Sequence, residues 1–134
     1  MIRFADHSDY SWLKENDKHV SENLIRSKIE NKEILIASNG NRLGWLRYNL
    51  FWDNIPFMNM LFIIEEYRNM GLGKQLVEYW ECEMKNKGNA ILMLSTLANE
   101  DAQHFYRKLG YSDIGGFVLP NSPMEIIMSK RLDM

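Results

Sequence analysis

The stretch best equipped for chemistry is Glu65-Glu66-Tyr67-Arg68-Asn69-Met70-Gly71-Leu72-Gly73-Lys74, where two glycines and two cations open an amphipathic pattern. Glycine lets a backbone turn tightly and come close to a ligand. N–H groups at a helix start have no intrahelical acceptor, and with the helix dipole they favour an anion. Arg68 and Lys74 add positive charge, so the spacing points to a phosphate group. The plainer alternative is a strand-to-helix turn whose glycines serve backbone geometry alone. Two nucleotide signatures fail on particular residues. A P-loop needs glycine where Arg68 stands and a hydroxyl where Gln75 stands; a dinucleotide fingerprint needs glycine at Leu76.

Other reactive side chains offer less. The three histidines are scattered and Cys82 stands alone, with no metal-ligand spacing, so no metal is expected. His104 falls on the polar side of a helical pattern and reads as a surface residue. Cys82 lies on a helix flank with no base beside it, which argues against an acyl-cysteine route.

The glycine loop needs a strand before it and a helix after it, and the pattern supplies both. Residues 57–64 are nearly continuous in apolar character, as in a central strand covered on both faces. After the loop, Leu72, Leu76, Trp80 and Met84 recur every fourth residue with Lys74, Glu78, Glu81 and Lys85 opposite, and Gly88-Asn89 ends the helix. Residues 90–97 read as a buried strand. Asn99 is expected to cap a second helix with Ala102, Phe105, Tyr106 and Leu109 on one stripe, closed by Gly110. Upstream, residues 2–5 suggest a first strand. Residues 9–32 suggest helix in two pieces, capped at Ser8 or Asp9 and again near Ser21. Residues 33–37 and 42–52 are strands about the turn Ser38-Asn39-Gly40-Asn41, and Asp53-Asn54 with Pro56 breaks the second. Residues 111–119 and 124–132 form a last pair about Pro120-Asn121-Ser122-Pro123. The order β-α-α-β-β-β-α-β-α-β-β is mixed α/β.

Length and composition bound the function. One domain over residues 1–134 is expected, since 134 residues with 46% hydrophobic and 25% charged content suit one ordinary globular domain. A net charge of -2 with scattered Lys and Arg argues against a nucleic-acid binder. The N-terminal segment lacks a signal-peptide core, and the longest uncharged apolar stretch, residues 54–64, is too short to span a bilayer. With a single cysteine, the chain suits a reducing cytoplasm and no membrane partner is expected.

Arg68-x-x-Gly71-x-Gly73 resembles the pyrophosphate-binding signature of the GNAT acetyltransferase superfamily. Leu61-Phe62-Ile63, followed by four residues and then Arg68, is similar to that family's fourth strand feeding its coenzyme loop. Asn99-x-x-Ala102-x-x-Phe105-Tyr106-x-x-Leu109-Gly110-Tyr111 resembles its later helix, which ends in a Leu-Gly-aromatic step. The motifs stand in the family's order, the likeness being strongest over residues 61–111; the N-terminal third matches in element order only.

The resemblance implies a three-layer fold with a splayed central sheet and acetyl-CoA as co-substrate, without a metal. It implies that backbone groups of Leu61, Phe62 and Ile63 pair with the pantetheine arm, an N–H near Ile63 facing the thioester oxygen. Backbone N–H groups of Arg68, Asn69, Met70, Gly71, Leu72, Gly73 and Lys74 would cradle the pyrophosphate. Asn99 would touch the pantetheine arm besides capping its helix. Tyr106 would be the general acid that protonates the departing thiolate, a phenol near pKa ~10 facing a thiol near ~8.5; the plainer reading is a half-buried core tyrosine with its hydroxyl satisfied. Many relatives place a glutamate base on the fourth strand, where this chain has Phe57. Asp53, Glu65, Glu66 or ordered water remain as alternatives. The implied function is N-acetylation of a small-molecule or peptide amine by a monomer or homodimer. The competing reading is a non-catalytic acyl-CoA-binding sensor.

Overall fold

A computed structural model of the chain describes residues 1–133. In chain order it contains β1 (Ile2–Phe4), a 3-10 turn (His7–Asp9), α1 (Tyr10–Asn16), α2 (Glu22–Glu30), β2 (Ile34–Ser38), β3 (Arg42–Phe51) and β4 (Ile55–Ile63). After a second 3-10 turn (Glu65–Tyr67) come α3 (Leu72–Asn86), β5 (Ile91–Leu97), α4 (Ala102–Lys108), β6 (Ser112–Val118) and β7 (Met124–Arg131). The strands join a 7-stranded sheet in the order β1-β2-β3-β4-β5-β7-β6. β4 and β5 run parallel, whereas β1–β2, β2–β3, β5–β7 and β6–β7 are antiparallel. This is the mixed α/β order expected from the sequence.

The chain packs as two compact units, one of residues 1–48 with 60–80, the other of residues 49–59 and the chain from residue 81 onward. In the first unit, Ile34, Leu35, Ile36 and Ala37 are all buried, which explains the unbroken apolar run of β2. Leu13 of α1 and Ile25 and Ile29 of α2 share a core with Ile34, Ile36 and Trp45, and Phe62 packs against it. Each such aliphatic side chain contributes roughly 1.5–3 kcal/mol by leaving water.

The start of the helical segment differs from expectation. Asp6 caps the leading 3-10 turn, its carboxylate accepting the Ser8 N–H at 2.9 Å while the Asp9 carboxylate accepts the Asp6 N–H at 2.8 Å; Asp9 holds the N-cap position of α1, but its carboxylate makes no cap bond to that helix. Asp9 is taken by tertiary partners. It is fully buried, bridged by Arg3 of β1 at 2.7 and 2.8 Å and by Arg42 of β3 at 2.6 Å. Ser21 caps α2 as expected, accepting the Leu24 N–H at 3.2 Å. Between the helices, buried Asp17 accepts from Arg47 of β3 at 2.7 Å and anchors the connection to the sheet.

In the second unit, the reversal after β3 is made by Trp52 and Asp53, both at φ 57, with the Asn54 N–H donating to Phe51 O at 3.1 Å. Left-handed pairs of this kind suit tight hairpins. The turn is complete before Ile55, so β4 begins there rather than at Phe57. Pro56 stands at the start of the strand, where its missing N–H is tolerated. Leu92, Met93 and Leu94 of β5 and Ile126 and Met128 of β7 are buried, whereas β6, at the sheet edge, is exposed throughout.

Candidate functional site

In the first unit, β4 ends in Leu61, Phe62 and Ile63 directly before the glycine loop. Gly44 of β3 lies so close that a Cβ there would run into the Phe62 carbonyl oxygen and come within 2.7 Å of the Ile63 side chain. The Ile64 N–H donates to Leu43 O at 2.8 Å. These contacts turn backbone groups of Phe62 and Ile64 toward β3 and, by alternation, those of Leu61 and Ile63 the other way. The β4–β5 ladder holds the pairs Phe57↔Met93 and Met58↔Leu94, although β4 continues to Ile63.

Arg68 closes the strand end. Its Nε donates to Ile63 O at 2.7 Å, and its guanidinium lies 5.2 Å from the centre of the Phe62 ring, the terminal nitrogens having no hydrogen-bond partner among the described residues. Its backbone N–H is already spent on Glu65 O at 3.2 Å, which removes Arg68 from the N–H groups expected to cradle an anion. From Asn69 to Lys74, by contrast, no backbone N–H has a partner among the described residues; the first helical bond is the Gln75 N–H to Gly71 O at 3.0 Å. Asn69 at φ 64 and Gly71 at φ 85 make the bend, and the space beside Gly71 is open. Asn69, Met70, Gly71, Leu72, Gly73 and Lys74 thus present donors at a 15-residue helix N-terminus beside two cationic side chains, a chemistry that fits a pyrophosphate.

In the second unit, Asn99 does not cap α4. The helix begins at Ala102 with Asp101 in the capping position and no side-chain cap bond. Asn99 is exposed in the turn after β5, too far upstream to reach the first free helical N–H groups. Gln103 braces that turn instead, its amide donating to Ala98 O at 2.8 Å and Glu100 O at 3.0 Å.

Tyr106 and Tyr111 are both buried, at 8% and 2% exposure, and their hydroxyls differ. The Tyr111 hydroxyl donates to Glu81 Oε2 at 2.8 Å. The Tyr106 hydroxyl has no partner among the described residues, yet the fully enclosed unpaired side-chain atoms are the Trp45 and Trp80 indole nitrogens, so Tyr106 opens to solvent at its tip. A core tyrosine with a satisfied hydroxyl therefore describes Tyr111 and not Tyr106. Burial, aided by Glu100, pushes the Tyr106 phenol up to about 12, keeping it protonated across the working pH range.

Sequence reasoning passed over Glu81 and Lys130 as site neighbours because each looks like a solvated charge on its own element. Asp53 is in the hairpin turn, and Glu65 and Glu66 lie in the 3-10 turn before Arg68. His104 and Cys82 are exposed, as expected. Among the described residues no helix is long and apolar enough to cross a membrane.

A comparison with protein families matches residues 3–111 to the family described as Acetyltransferase (GNAT) family. A comparison with curated proteins found no match. Among solved structures, the chain is similar to the ribosomal-protein-S18-alanine N-acetyltransferase from Escherichia coli, with a TM-score of 0.80 at 20% identity over 100% of this chain and 94% of that one. It is also similar to yncA from Salmonella typhimurium with its cofactor acetyl-CoA, with a TM-score of 0.79 at 16% identity, covering 100% of this chain and 94% of that one. A third likeness is to an aminoglycoside 6'-N-acetyltransferase complexed with coenzyme A, with a TM-score of 0.75, 19% identity and 98% and 97% coverage.

Proposed function

The chain belongs to the GNAT acetyltransferase family, and on that premise we propose that its residues form one acetyltransferase domain moving an acetyl group from acetyl-CoA to a primary amine of a small molecule or peptide. The carrying observation is the row of unpartnered N–H groups from Asn69 to Lys74 beside Arg68. These donors and the two cations hold the pyrophosphate, while the backbone groups of Leu61 and the N–H of Ile63, which face away from β3, align the pantetheine arm. Asn99, released from capping, is available to the same arm. The co-substrate supplies an activated acetyl thioester. The amine nitrogen bonds to the acetyl carbon as the carbon–sulfur bond breaks, and the Tyr106 hydroxyl gives its proton to the departing thiolate. Since β4 carries no carboxylate, the amine loses its proton to ordered water or to one of Asp53, Glu65 and Glu66 outside that strand. Tyr106 regains its proton from solvent.

Calorimetric titration with acetyl-CoA tests the binding half. The native chain binds, and Gly71→Trp, whose bulk fills the open space beside the loop, does not. No binding by a folded native chain would sink the reading. Turnover tests the rest: Tyr106→Phe is expected to lower kcat by roughly 10²-fold or more with binding intact. Binding without turnover of any amine would favour an acyl-CoA sensor.

A further inference from the structure

The Tyr106 ring is oriented by packing rather than by a hydrogen bond, against Phe105 at 5.2 Å and 66° and against Tyr111. The Tyr106 hydroxyl has no partner among the described residues, and α4, Ala102–Lys108, is only 7 residues long. The C-terminal end of that helix supplies the constraint. Gly110 takes φ 99, its N–H donates to Arg107 O at 3.0 Å, and the Tyr111 N–H donates back to Tyr106 O at 3.1 Å. This paired closure places the residue after the glycine over the residue five earlier. Here both are tyrosines, and their rings meet edge to face with centroids 6.2 Å apart at 74°.

The Tyr111 ring is in turn held from below. Its hydroxyl donates to Glu81 Oε2 at 2.8 Å, and Lys130 Nζ of β7 holds both Glu81 oxygens at 3.1 Å. Lys130 Nζ also lies 5.6 Å from the Tyr111 ring centre. Glu81 stands on α3 and Lys130 on β7, so two elements meet at the phenol of the residue that follows the α4 closure. A buried ring needs no hydroxyl to pack, and a phenylalanine would fill the same volume without a carboxylate to satisfy. The hydroxyl and its ion pair therefore fix orientation as well as fill space.

We propose that Tyr111, anchored by Glu81 and Lys130, is a positioning residue for Tyr106, fixing the ring from which the proton is donated. The inference rests on the acetyltransferase reading and names a residue that acts through the acid. Steady-state kinetics with acetyl-CoA and the best acceptor from a panel of an alanine-leading peptide, a polyamine and an amino sugar tests it. Tyr111→Phe is expected to lower kcat about tenfold, with KM for acetyl-CoA within twofold of native. Glu81→Gln, which keeps an oxygen acceptor for the hydroxyl, retains more activity than Glu81→Ala. In a Tyr106→Phe background, Tyr111→Phe has no further effect, as expected when one residue acts through the other. Tyrosine ring-carbon NMR supplies a readout independent of turnover: the Tyr106 resonance moves in Tyr111→Phe while the thermal midpoint stays close to native.

Native kcat and an unmoved Tyr106 resonance in Tyr111→Phe would overturn the proposal and leave the acid assignment standing. So would additive losses in the double variant. Full activity in Tyr106→Phe would instead remove the acid assignment, and the positioning role with it.

Discussion

At the scale of single residues, burial separates groups that look alike in the sequence. Asp6 and Asp9 stand three apart, but Asp6 is an exposed cap and Asp9 a buried carboxylate between two guanidiniums. Burial alone would raise the Asp9 pKa, but bonds from Arg3 and Arg42 outweigh it and hold the group at about 2. Because the folded-state value lies below the unfolded one, the associated stability is present above pH ~4 and is lost as pH falls toward 2, amounting to about 2 kcal/mol. Denaturant melts of the native chain and Asp9→Asn across this window should converge at low pH; a constant gap would contradict the assignment. Tyr106 and Tyr111 carry the opposite sign. Both phenols are raised chiefly by burial, so their contribution is present below pH ~10 and is lost as pH climbs beyond it. Alkaline melts should lose stability over that range, and Tyr111→Phe should lose less.

At the scale of elements, the ends of helices set the site. Three helices close with a left-handed residue and the same pair of back-bonds: Lys32 after α2, Gly88 after α3 and Gly110 after α4. Lys32 sits at φ 56, where glycine has no Cβ penalty, so Lys32→Gly should raise the thermal midpoint, by about 1 kcal/mol or less in stability. At the other end of α2, Ser21→Ala removes the acceptor for the Leu24 N–H and should cost about 1 kcal/mol. Denaturant titration reads both, and catalytic constants should not follow the Ser21 loss because α2 lies outside the loop from Arg68 to Lys74. The short α4 depends more on its end: Gly110→Ala strains a φ of 99 and brings a Cβ within 3.3 Å of Lys130 Cε, so it should lower kcat as well as stability.

At the scale of the whole molecule, ligand binding and folding are linked. A coenzyme that binds only the folded chain raises the apparent stability by about 2.7 kcal/mol at a hundredfold excess over Kd. A thermal shift with acetyl-CoA that vanishes in Gly71→Trp would therefore report the pyrophosphate cradle without any acceptor. The buried Asp17–Arg47 pair sets a larger scale. Arg47→Met strands a carboxylate in the core and should cost about 3–5 kcal/mol, seen as a large fall in the denaturation midpoint. Replacing both partners with apolar residues should recover most of that loss.

The division between what could be read from the chain and what the fold added follows interaction range. The stripe Leu76, Trp80 and Met84, the glycine closures and the loop Arg68-x-x-Gly71-x-Gly73 were legible because periodicity and turn chemistry act over a few residues. The order of elements followed from those local signals, while the family followed from the resemblance of the Arg68–Gly73 and Asn99–Tyr111 motifs. Three local readings failed where a distant or competing partner intervened. Asp9, at the N-cap position of α1, spends its carboxylate on Arg3, Arg42 and the Asp6 N–H rather than on that helix, Asn99 was displaced when α4 started at Ala102, and the Arg68 N–H was consumed by Glu65 O. The contrast between Tyr106 and Tyr111 was invisible in sequence, since each lies on an apolar position near the same glycine. Only the tertiary structure brings Glu81, thirty residues upstream, to one hydroxyl and leaves the other without a partner among the described residues. The chain alone determined which segments turn, coil and extend; folding decided which polar groups are paired, because burial turns a solvated side chain into one that must find a partner.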